Sequence, residues 1–177
     1  MNKESKRIFF IFLRYLILVL IALPNLFIFY LILTPLTVYP VNFLLNILYS
    51  PVLNGSQITI NHTVIEIVDA CVAGSAYYLL LLLNLAIPMS IKKRLASIAF
   101  SFALFLTMNI ARISIFTILL INEFRYFDLT HKIFWYVLSG VLVFLAWFIT
   151  IKTFKIRKTP FVSDIKFFYN QIKKHKK

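Results

Sequence analysis

The stretch Glu66-Ile-Val-Asp-Ala-Cys71-Val-Ala-Gly74 joins two segments of different character and contains the only cysteine of the chain. Residues 57–69, which lead into it, alternate and are rich in β-branched side chains, a pattern typical of β-strands. Residues 72–89, which follow the cysteine, form an almost unbroken apolar run. The stretch is therefore predicted to connect a small β-hairpin to a long apolar helix.

The composition indicates an integral membrane protein. Of the 177 residues, 61% are hydrophobic, 19 are Phe and only 3 are Gly, and the mean hydropathy of +0.88 is far above that of soluble domains. The net charge of +13 would suggest a nucleic-acid partner on a soluble protein, but Lys and Arg are concentrated between and beyond the apolar runs. That distribution indicates membrane topology, so no nucleic-acid partner is expected.

Four apolar runs are long enough to cross a bilayer, which takes about 20 residues of helix. They cover residues 8–33, 72–89, 95–121 and 133–151. The first run is too long for a cleaved signal peptide and has no small-residue cleavage site after it, which favours a spanning helix. The predicted fold class is an all-α integral membrane protein, with residues 1–177 forming a single membrane domain of four transmembrane helices.

Residues 34–71 are predicted to lie outside the hydrocarbon, between the first two spans. Pro35 and Pro40 are expected to break the helix there. Polar residues recur every four positions in residues 41–49, which indicates a short amphipathic helix on the membrane surface, although a loop packed on the bundle would show the same pattern. The alternating residues that follow predict the β-hairpin, with its turn at Asn61-His62.

Lys and Arg are distributed unequally between the two sides of the predicted membrane. Residues 1–7 carry three, residues 92–94 three and the tail at residues 152–177 nine, whereas the opposite side has only Arg125 and Lys132. Because cytoplasmic segments are enriched in Lys and Arg, both termini are predicted to be cytoplasmic, and the hairpin and the cysteine to face outward at the cell membrane. The tail is either an amphipathic helix on anionic lipid or a solvated basic segment.

Arg112 lies within the third apolar run, where charges are costly and normally face a partner or a cavity. At about 1.5 Å per residue it is roughly 26 Å from Leu95, near the far edge of a hydrocarbon layer about 30 Å thick. Ser97, Ser101 and Asn109 fall on the same helical face, so a polar stripe is predicted to face the bundle. Arg112 either serves a site there, with Asn109 beside it, or extends to the outer headgroups.

Cys71 and His131 are predicted to reach the same outer interface, because each precedes an apolar run. A thiolate at a helix N-terminus is stabilised by the helix dipole and by a nearby cation, and the exposed amides there can hold an oxyanion. A histidine titrates near neutral pH and can exchange a proton with a thiol. Cys71 can equally be an inert buried side chain, and His131 a headgroup contact.

A thiol, a guanidinium and an imidazole from three helices supply what acyl transfer through a thioester needs: a nucleophile, a charge stabiliser and a proton carrier. Asp69 either orients the imidazole or lies on the hairpin surface, and Glu66 is expected on that surface. One cysteine and one histidine are too few for zinc, which takes about three or four protein ligands. No metal or other cofactor is therefore expected.

The same residues carry a resemblance to the exosortase/archaeosortase family of membrane transpeptidase-like enzymes. The matching motifs are Ala70-Cys71-Val-Ala-Gly74 before one span, Asn109-Ile-Ala-Arg112-Ile113 within the next, and His131 with Gly140 nine residues on. The resemblance covers roughly residues 53–151, and the short chain is similar to a compact archaeal-type member. Many members have Ser-Gly directly after the cysteine, whereas Val72-Ala73 precede Gly74 here.

The resemblance implies a bundle of transmembrane helices in which Cys71 is the nucleophile and Arg112 and His131 complete a catalytic triad. Asn109 and Asp69 are the candidates for supporting roles. The implied substrates are exported proteins that end in a short recognition motif, a transmembrane helix and a basic cluster; the enzyme would cut at the motif and transfer the acyl group to a membrane lipid or another acceptor. The alternative is a non-enzymatic membrane scaffold or lipid-binding subunit in which Arg112 binds a phosphate.

Overall fold

The protein is described by a computed structural model over residues 3–22, 26–87 and 89–156. Its helices are α1 (Lys3–Ala22), α2 (Phe27–Asn46), α3 (Asp69–Val72), α4 (Gly74–Ala86), α5 (Ile91–Ile121), α6 (Phe127–Ile133) and α7 (Ser139–Thr153), and a π-helical turn (Phe134–Leu138) joins α6 to α7. Three short strands, β1 (Val52–Asn54), β2 (Gln57–Ile60) and β3 (Thr63–Glu66), lie between α2 and α3.

Within the described residues, four helical segments are long and apolar enough to cross a membrane: Phe27–Asn46, Asp69–Ala86, Ile91–Ile121 and Phe127–Thr153. The predicted fold class, a helical membrane protein with four spans and a small β-structure, is confirmed. The last three segments overlap the runs predicted from the sequence. The third begins earlier than predicted, so that the basic residues 92–94 lie in the first turn of α5 instead of in a loop.

The first apolar run forms two helices, which corrects the single span predicted over residues 8–33. α1 ends at Ala22, and α2 follows Leu26, whose backbone is left-handed with a φ of 60°. Pro24 lies between them in the sequence, and proline removes a backbone donor and disfavours helical geometry in the residue before it. The first segment long and apolar enough to span is therefore Phe27–Asn46.

α2 continues through Pro35 and Pro40, where the sequence predicted a break. In apolar surroundings an unpaired backbone group is costly, so the chain keeps its remaining helical hydrogen bonds and tolerates proline. Residues 41–46 are the last turns of α2, with Val41 and Leu45 buried in the core. They extend this helix instead of forming the separate amphipathic surface helix predicted over residues 41–49.

The three strands form a sheet of order β1-β2-β3, in which both pairs are antiparallel. A two-residue turn joins β2 to β3: Ile60 pairs with Thr63, and Asn61 has a φ of 54°, as tight hairpin turns require. The hairpin predicted with its turn at Asn61-His62 is therefore present, and β1 adds a third strand. Ile58 and Ile60 are buried in the same core as the helices, which fixes the sheet on the bundle.

α5 is the central helix and packs against α2, α4 and α7. Tyr77 of α4 is fully buried against it, with its ring centroid 5.2 Å from that of Phe102 and 5.0 Å from that of Phe105 in edge-to-face contacts. Such aromatic pairs stabilise a core beyond the area they bury. They fix the depth of α4, and with it the position of the cysteine, relative to α5.

The polar stripe predicted on α5 faces the bundle, where Ser97, Ser101 and Asn109 are buried. Asn84 of α4 meets the first half of this stripe. Its Nδ2 donates to Leu80 O at 2.8 Å and to Ser101 Oγ at 3.3 Å, and Ser97 Oγ donates to its Oδ1. Asn84, Ser97 and Ser101, called the Asn84 cluster below, therefore satisfy one another inside the protein.

The bundle has two different ends. The sheet end carries the β-sheet, α3 and the connection between α5 and α6, and the loop end carries the connection between α4 and α5, where Arg94 Nη2 donates to Ile87 O at 3.1 Å. Which end faces the cytoplasm stays a prediction from the distribution of Lys and Arg. The predicted basic tail starts at Lys152 in the last turn of α7. Its residues beyond 156, where the amphipathic helix or solvated segment was predicted, lie outside the described part of the chain.

Candidate active site

Cys71 lies in α3, a single helical turn between the sheet and α4. This turn ends at Ala73, whose left-handed φ of 61° redirects the chain before α4 begins at Gly74. The sequence predicted the cysteine at the start of the spanning helix, with free amides around it. Instead, the N–H groups of Cys71 and Val72 both donate to Val68 O, at 2.8 and 3.2 Å. These two amides are therefore not free to stabilise a negative charge that develops near the thiol.

Gly74 lets α2 approach the start of α4. A Cβ at this position would lie 2.8 Å from ring atoms of Tyr30, closer than real Cβ atoms come to a neighbour. The absence of a side chain therefore allows Tyr30 to pack directly on the backbone beside Ala73. The turn that carries Cys71 is held in place by α2 as well as by α5.

Arg112 connects α5 to the cysteine turn and to α7. Its Nη2 donates to Cys71 O at 3.2 Å, and its Nη1 donates to Ser139 Oγ at 2.8 Å. The guanidinium therefore binds groups within the bundle and does not extend toward the headgroups, the alternative that the sequence left open. Because a guanidinium has five N–H donors, these two bonds leave further donors for a bound group.

Asn109 lies one turn before Arg112 on α5 and binds the same carbonyl group. It is buried, and its Nδ2 donates to Cys71 O at 2.9 Å. Its Oδ1 is buried and has no hydrogen-bond partner within the described part of the chain. The carbonyl of Cys71 thus receives two donors from one helix, which fixes the α3 turn on α5.

His131 enters the site from α6 in an aromatic setting. Its ring stacks on that of Phe127, with centroids 5.6 Å apart and planes at 13°, and it makes edge contacts with Phe116 at 5.4 Å and Trp135 at 6.0 Å. Among the residues that the structure describes, none makes a hydrogen bond or ion pair with the imidazole. The aromatic rings therefore set the orientation of the imidazole, whereas the sequence suggested Asp69 for this role.

The π-helical turn separates His131 from Ser139. Ser139 Oγ donates to Phe134 O at 2.9 Å while it accepts from Arg112. A π-turn adds one residue to a helical turn, and such turns occur frequently at functional sites. Sequence reasoning missed Ser139; its isolation as a lone hydroxyl before Gly140, in a run of apolar and aromatic residues, was the available signal.

Cys71, Arg112 and His131 line one cavity of about 350 Å³ at the sheet end, called the Cys71 cavity below. Ligand pockets commonly measure about 300–1,000 Å³. One wall of the cavity consists of residues 64–68, and the opposite wall belongs to α5 and α6. The folded chain thus brings together three residues that are far apart in sequence, one from each of three helices.

A second cavity, of about 410 Å³, shares Arg112 and Trp135 with the first. Asp69 lines this second cavity together with Ser75 and Ser139. Asp69 is therefore close to Arg112 but is not among the residues that line the Cys71 cavity. Of the two supporting candidates from the sequence, Asn109 contacts the cysteine turn directly, and Asp69 faces the neighbouring space.

The side chains that line the Cys71 cavity include groups of three different chemistries. Within residues 3–22, 26–87 and 89–156, no group of three or more His, Cys, Asp or Glu side chains is arranged to hold a metal ion. The cavity presents a thiol, a guanidinium and an imidazole to a common space. These groups are suited to hold a carbonyl compound, attack it and move a proton.

Fold and site define a class of protein: a multi-pass helical membrane protein with a cysteine, an arginine and a histidine around one cavity. A comparison with protein-family models matches the transmembrane exosortase family over residues 4–152, and the chain belongs to this family. The resemblance carried by the three motifs is confirmed, whereas the compact archaeal-type branch stays a prediction. A search of curated proteins and a search of solved structures each found no match.

Proposed function

We propose that the protein is a membrane-embedded cysteine transpeptidase or protease that cleaves the C-terminal sorting signals of exported proteins through a thioester intermediate. The acyl product is transferred to a membrane lipid or another acceptor. Membership of the exosortase family supports a membrane-embedded sorting role. The observation that carries the chemical proposal is the single cavity lined by Cys71, Arg112 and His131.

In the first step, Cys71 Sγ attacks the carbonyl carbon of the scissile peptide bond while His131 takes the thiol proton. The electron pair of the C=O bond moves to the oxygen, and Arg112 stabilises this oxyanion through N–H groups that are not bound to Cys71 O or Ser139 Oγ. The intermediate then collapses and the C–N bond breaks. His131 gives its proton to the leaving amine, and the acyl group remains on Sγ as a thioester.

In the second step, a hydroxyl or amine of the acceptor attacks the thioester carbonyl and His131 takes the acceptor's proton. The C–S bond breaks, the acyl group passes to the acceptor, and the thiolate recovers a proton from His131. Water as the acceptor would give hydrolysis instead of transfer. The position of Arg112 on the carbonyl of Cys71 keeps the charge stabiliser and the nucleophile together in both steps.

The orientation predicted for the bundle fits such a substrate. The excess of Lys and Arg at the loop end and the two termini supports a sheet end that faces outward. A substrate helix that ends in a basic cluster on the cytoplasmic side would present the segment before that helix at the outer interface. The scissile bond would then lie at the depth of Cys71.

The test measures processing of a tagged exported protein that is co-expressed with the enzyme. The probe is a protein from the same genome that ends in a short motif, an apolar helix and a basic cluster. Cys71→Ala is expected to reduce its processing by roughly a thousandfold or more, because loss of a catalytic nucleophile removes the covalent route. Thr107→Ala is the matched control, since this hydroxyl is exposed on α5 and donates to Leu104 O within its own helix.

Both variants should reach the membrane in wild-type amounts, as measured by immunoblotting of the membrane fraction. A hydroxylamine-sensitive adduct between the tag and the wild-type enzyme would locate the thioester at Cys71, because the chain has one cysteine. Undiminished processing by Cys71→Ala would reject the proposal. The scaffold alternative, with Arg112 on a phosphate, predicts that outcome together with a Cys71 that does not react with thiol reagents.

A further inference from the structure

β3 is an edge strand, and it forms one wall of the Cys71 cavity. In the part of the chain that the structure describes, the sheet order is β1-β2-β3 and β3 pairs only with β2. Residues 64–68 line the cavity. The N–H of Ile67 donates to Ser56 O at 2.9 Å. This bond identifies which residues of β3 form hydrogen bonds with β2. Because hydrogen-bonding direction alternates along a strand, Thr63, Ile65 and Ile67 direct their backbone groups toward β2.

The alternate residues of this segment direct their backbone groups away from β2. For Val64 and Glu66, neither the N–H nor the C=O has a partner among the residues that the structure describes. Their side chains are exposed, as is that of Val68. An unpaired strand edge of this kind is a template for hydrogen bonding to another extended chain.

The free edge leads directly to the nucleophile. Val68 continues the line of the strand, and Cys71 follows it by three residues, with its N–H bound to Val68 O. On the opposite wall of the cavity, α5 and α6 present the apolar side chains of Ile113, Phe116 and Phe127. An extended peptide in this space would bond to the edge through its backbone and pack its side chains on the apolar wall, the arrangement used in β-augmentation.

We propose that the substrate binds as a fourth strand on the free edge of β3, with the residues before the scissile bond paired with Val64 and Glu66. This inference rests on the proposed function. The added strand runs parallel to β3, because both chains continue in the same direction. β3 leads through Cys71 into the membrane helix α4, and the proposed substrate leads through its scissile bond into a membrane helix of its own. Pairing in this direction places the scissile carbonyl at Cys71.

Proline substitutions on the edge test the backbone pairing. Val64→Pro and Glu66→Pro each remove an outward N–H but spare the ladder to β2, and proline is tolerated at such edge positions. Each is expected to slow processing of the tagged exported protein about tenfold, as loss of roughly one hydrogen bond does. Val64→Ala and Glu66→Ala keep the N–H, so each proline variant is expected to process more slowly than the alanine variant at the same position.

Leu53→Pro provides the matched control on the other edge of the sheet. Leu53 pairs with Ile58, and Ile58 faces β3, so the N–H of Leu53 points away from β2 on the side remote from the cavity. This variant removes an edge donor together with a side chain that packs against the core. The amount of enzyme in the membrane is therefore expected to fall, while processing per molecule stays at the wild-type rate. Equal losses in Leu53→Pro and Val64→Pro would indicate general damage to the sheet and would overturn the proposal.

Photo-crosslinking tests the same idea without catalysis. A benzoylphenylalanine at position 64 in the Cys71→Ala background is expected to crosslink the tagged exported protein at residues upstream of its cleavage site, and the same probe at position 53 is expected to give no crosslink. Crosslinks to downstream residues, or equal crosslinking from both positions, would overturn the parallel edge pairing. If Cys71→Ala abolishes processing but both edge prolines process normally, the edge proposal fails and the proposed function stands; if Cys71→Ala processes normally, both fail.

Discussion

Two polar clusters lie on the same face of α5 and differ in how they use their hydrogen bonds. In the Asn84 cluster the amide and two hydroxyls bond to one another and to Leu80 O. Around Arg112, the side-chain donors bind Cys71 O and Ser139 Oγ, while Asn109 Oδ1 stays unpartnered within the described part of the chain. The first cluster is complete without a ligand. The second cluster retains unused hydrogen-bonding groups beside a cavity, as is expected of a binding or catalytic site.

Among substitutions in the two clusters, Arg112→Ala is expected to have the largest effect on processing. Loss of the guanidinium removes the proposed oxyanion donor and the link from Cys71 O to Ser139, and processing of the tagged exported protein should fall by roughly a hundredfold or more. Arg112→Lys keeps a positive charge but lacks the planar fork that reaches two acceptors, so it should recover only part of the rate. Processing at the wild-type rate by Arg112→Ala would show that the polar groups around Arg112, like those of the Asn84 cluster, are not needed for activity.

Asn109→Leu should have an intermediate effect. The substitution preserves approximate size but removes one of the two donors to Cys71 O, so the cysteine turn is held less firmly and processing should slow by about fivefold to tenfold. The measurement is the initial processing rate per molecule of enzyme in the membrane fraction. A lower membrane level with an unchanged rate per molecule would assign Asn109 to folding alone.

Asn84→Leu makes the same chemical change in the complete cluster and should have the smallest effect. It should destabilise the bundle by about 1 kcal/mol, the scale of hydrogen bonds between membrane helices, because Ser97 and Ser101 lose their partner. The stability is measured by unfolding in a titration with a denaturing detergent. Processing per folded molecule should match wild type, and a tenfold loss there would contradict the structural role given to this cluster.

The parts of the fold that depend on simple patterns were predictable from the sequence. Apolar length gave the later three spans, the alternation around Ile60 gave the hairpin, and the spacing of Ser97, Ser101 and Asn109 gave the buried face of α5. The convergence of Cys71, Arg112 and His131 was also predictable, since residues at the same ends of neighbouring spans meet at one face of a membrane. These features depend on periodicity and topology, which a sequence carries directly.

The remaining features depend on tertiary contacts. Pro35 and Pro40 stay helical because the apolar surroundings leave the chain no better arrangement for its amides, whereas propensity alone predicts a break. The left-handed Ala73 places Cys71 on a separate turn, which no local signal indicated. The place of Asp69 in the second cavity and the partnership of Arg112 with Ser139 arise from packing between helices, and sequence spacing does not specify them.

α5 is longer than the layer it crosses. Its 31 residues, at about 1.5 Å each, extend roughly 46 Å, whereas bilayer hydrocarbon is about 30 Å thick. If the lysines of its first turn lie in one headgroup layer, as the distribution of Lys and Arg predicts, Arg112 would lie close to the opposite boundary and the last turns of α5 would extend into phosphates and water. In the proposed mechanism, water and a headgroup acceptor would then both reach the thioester at this level of the bundle.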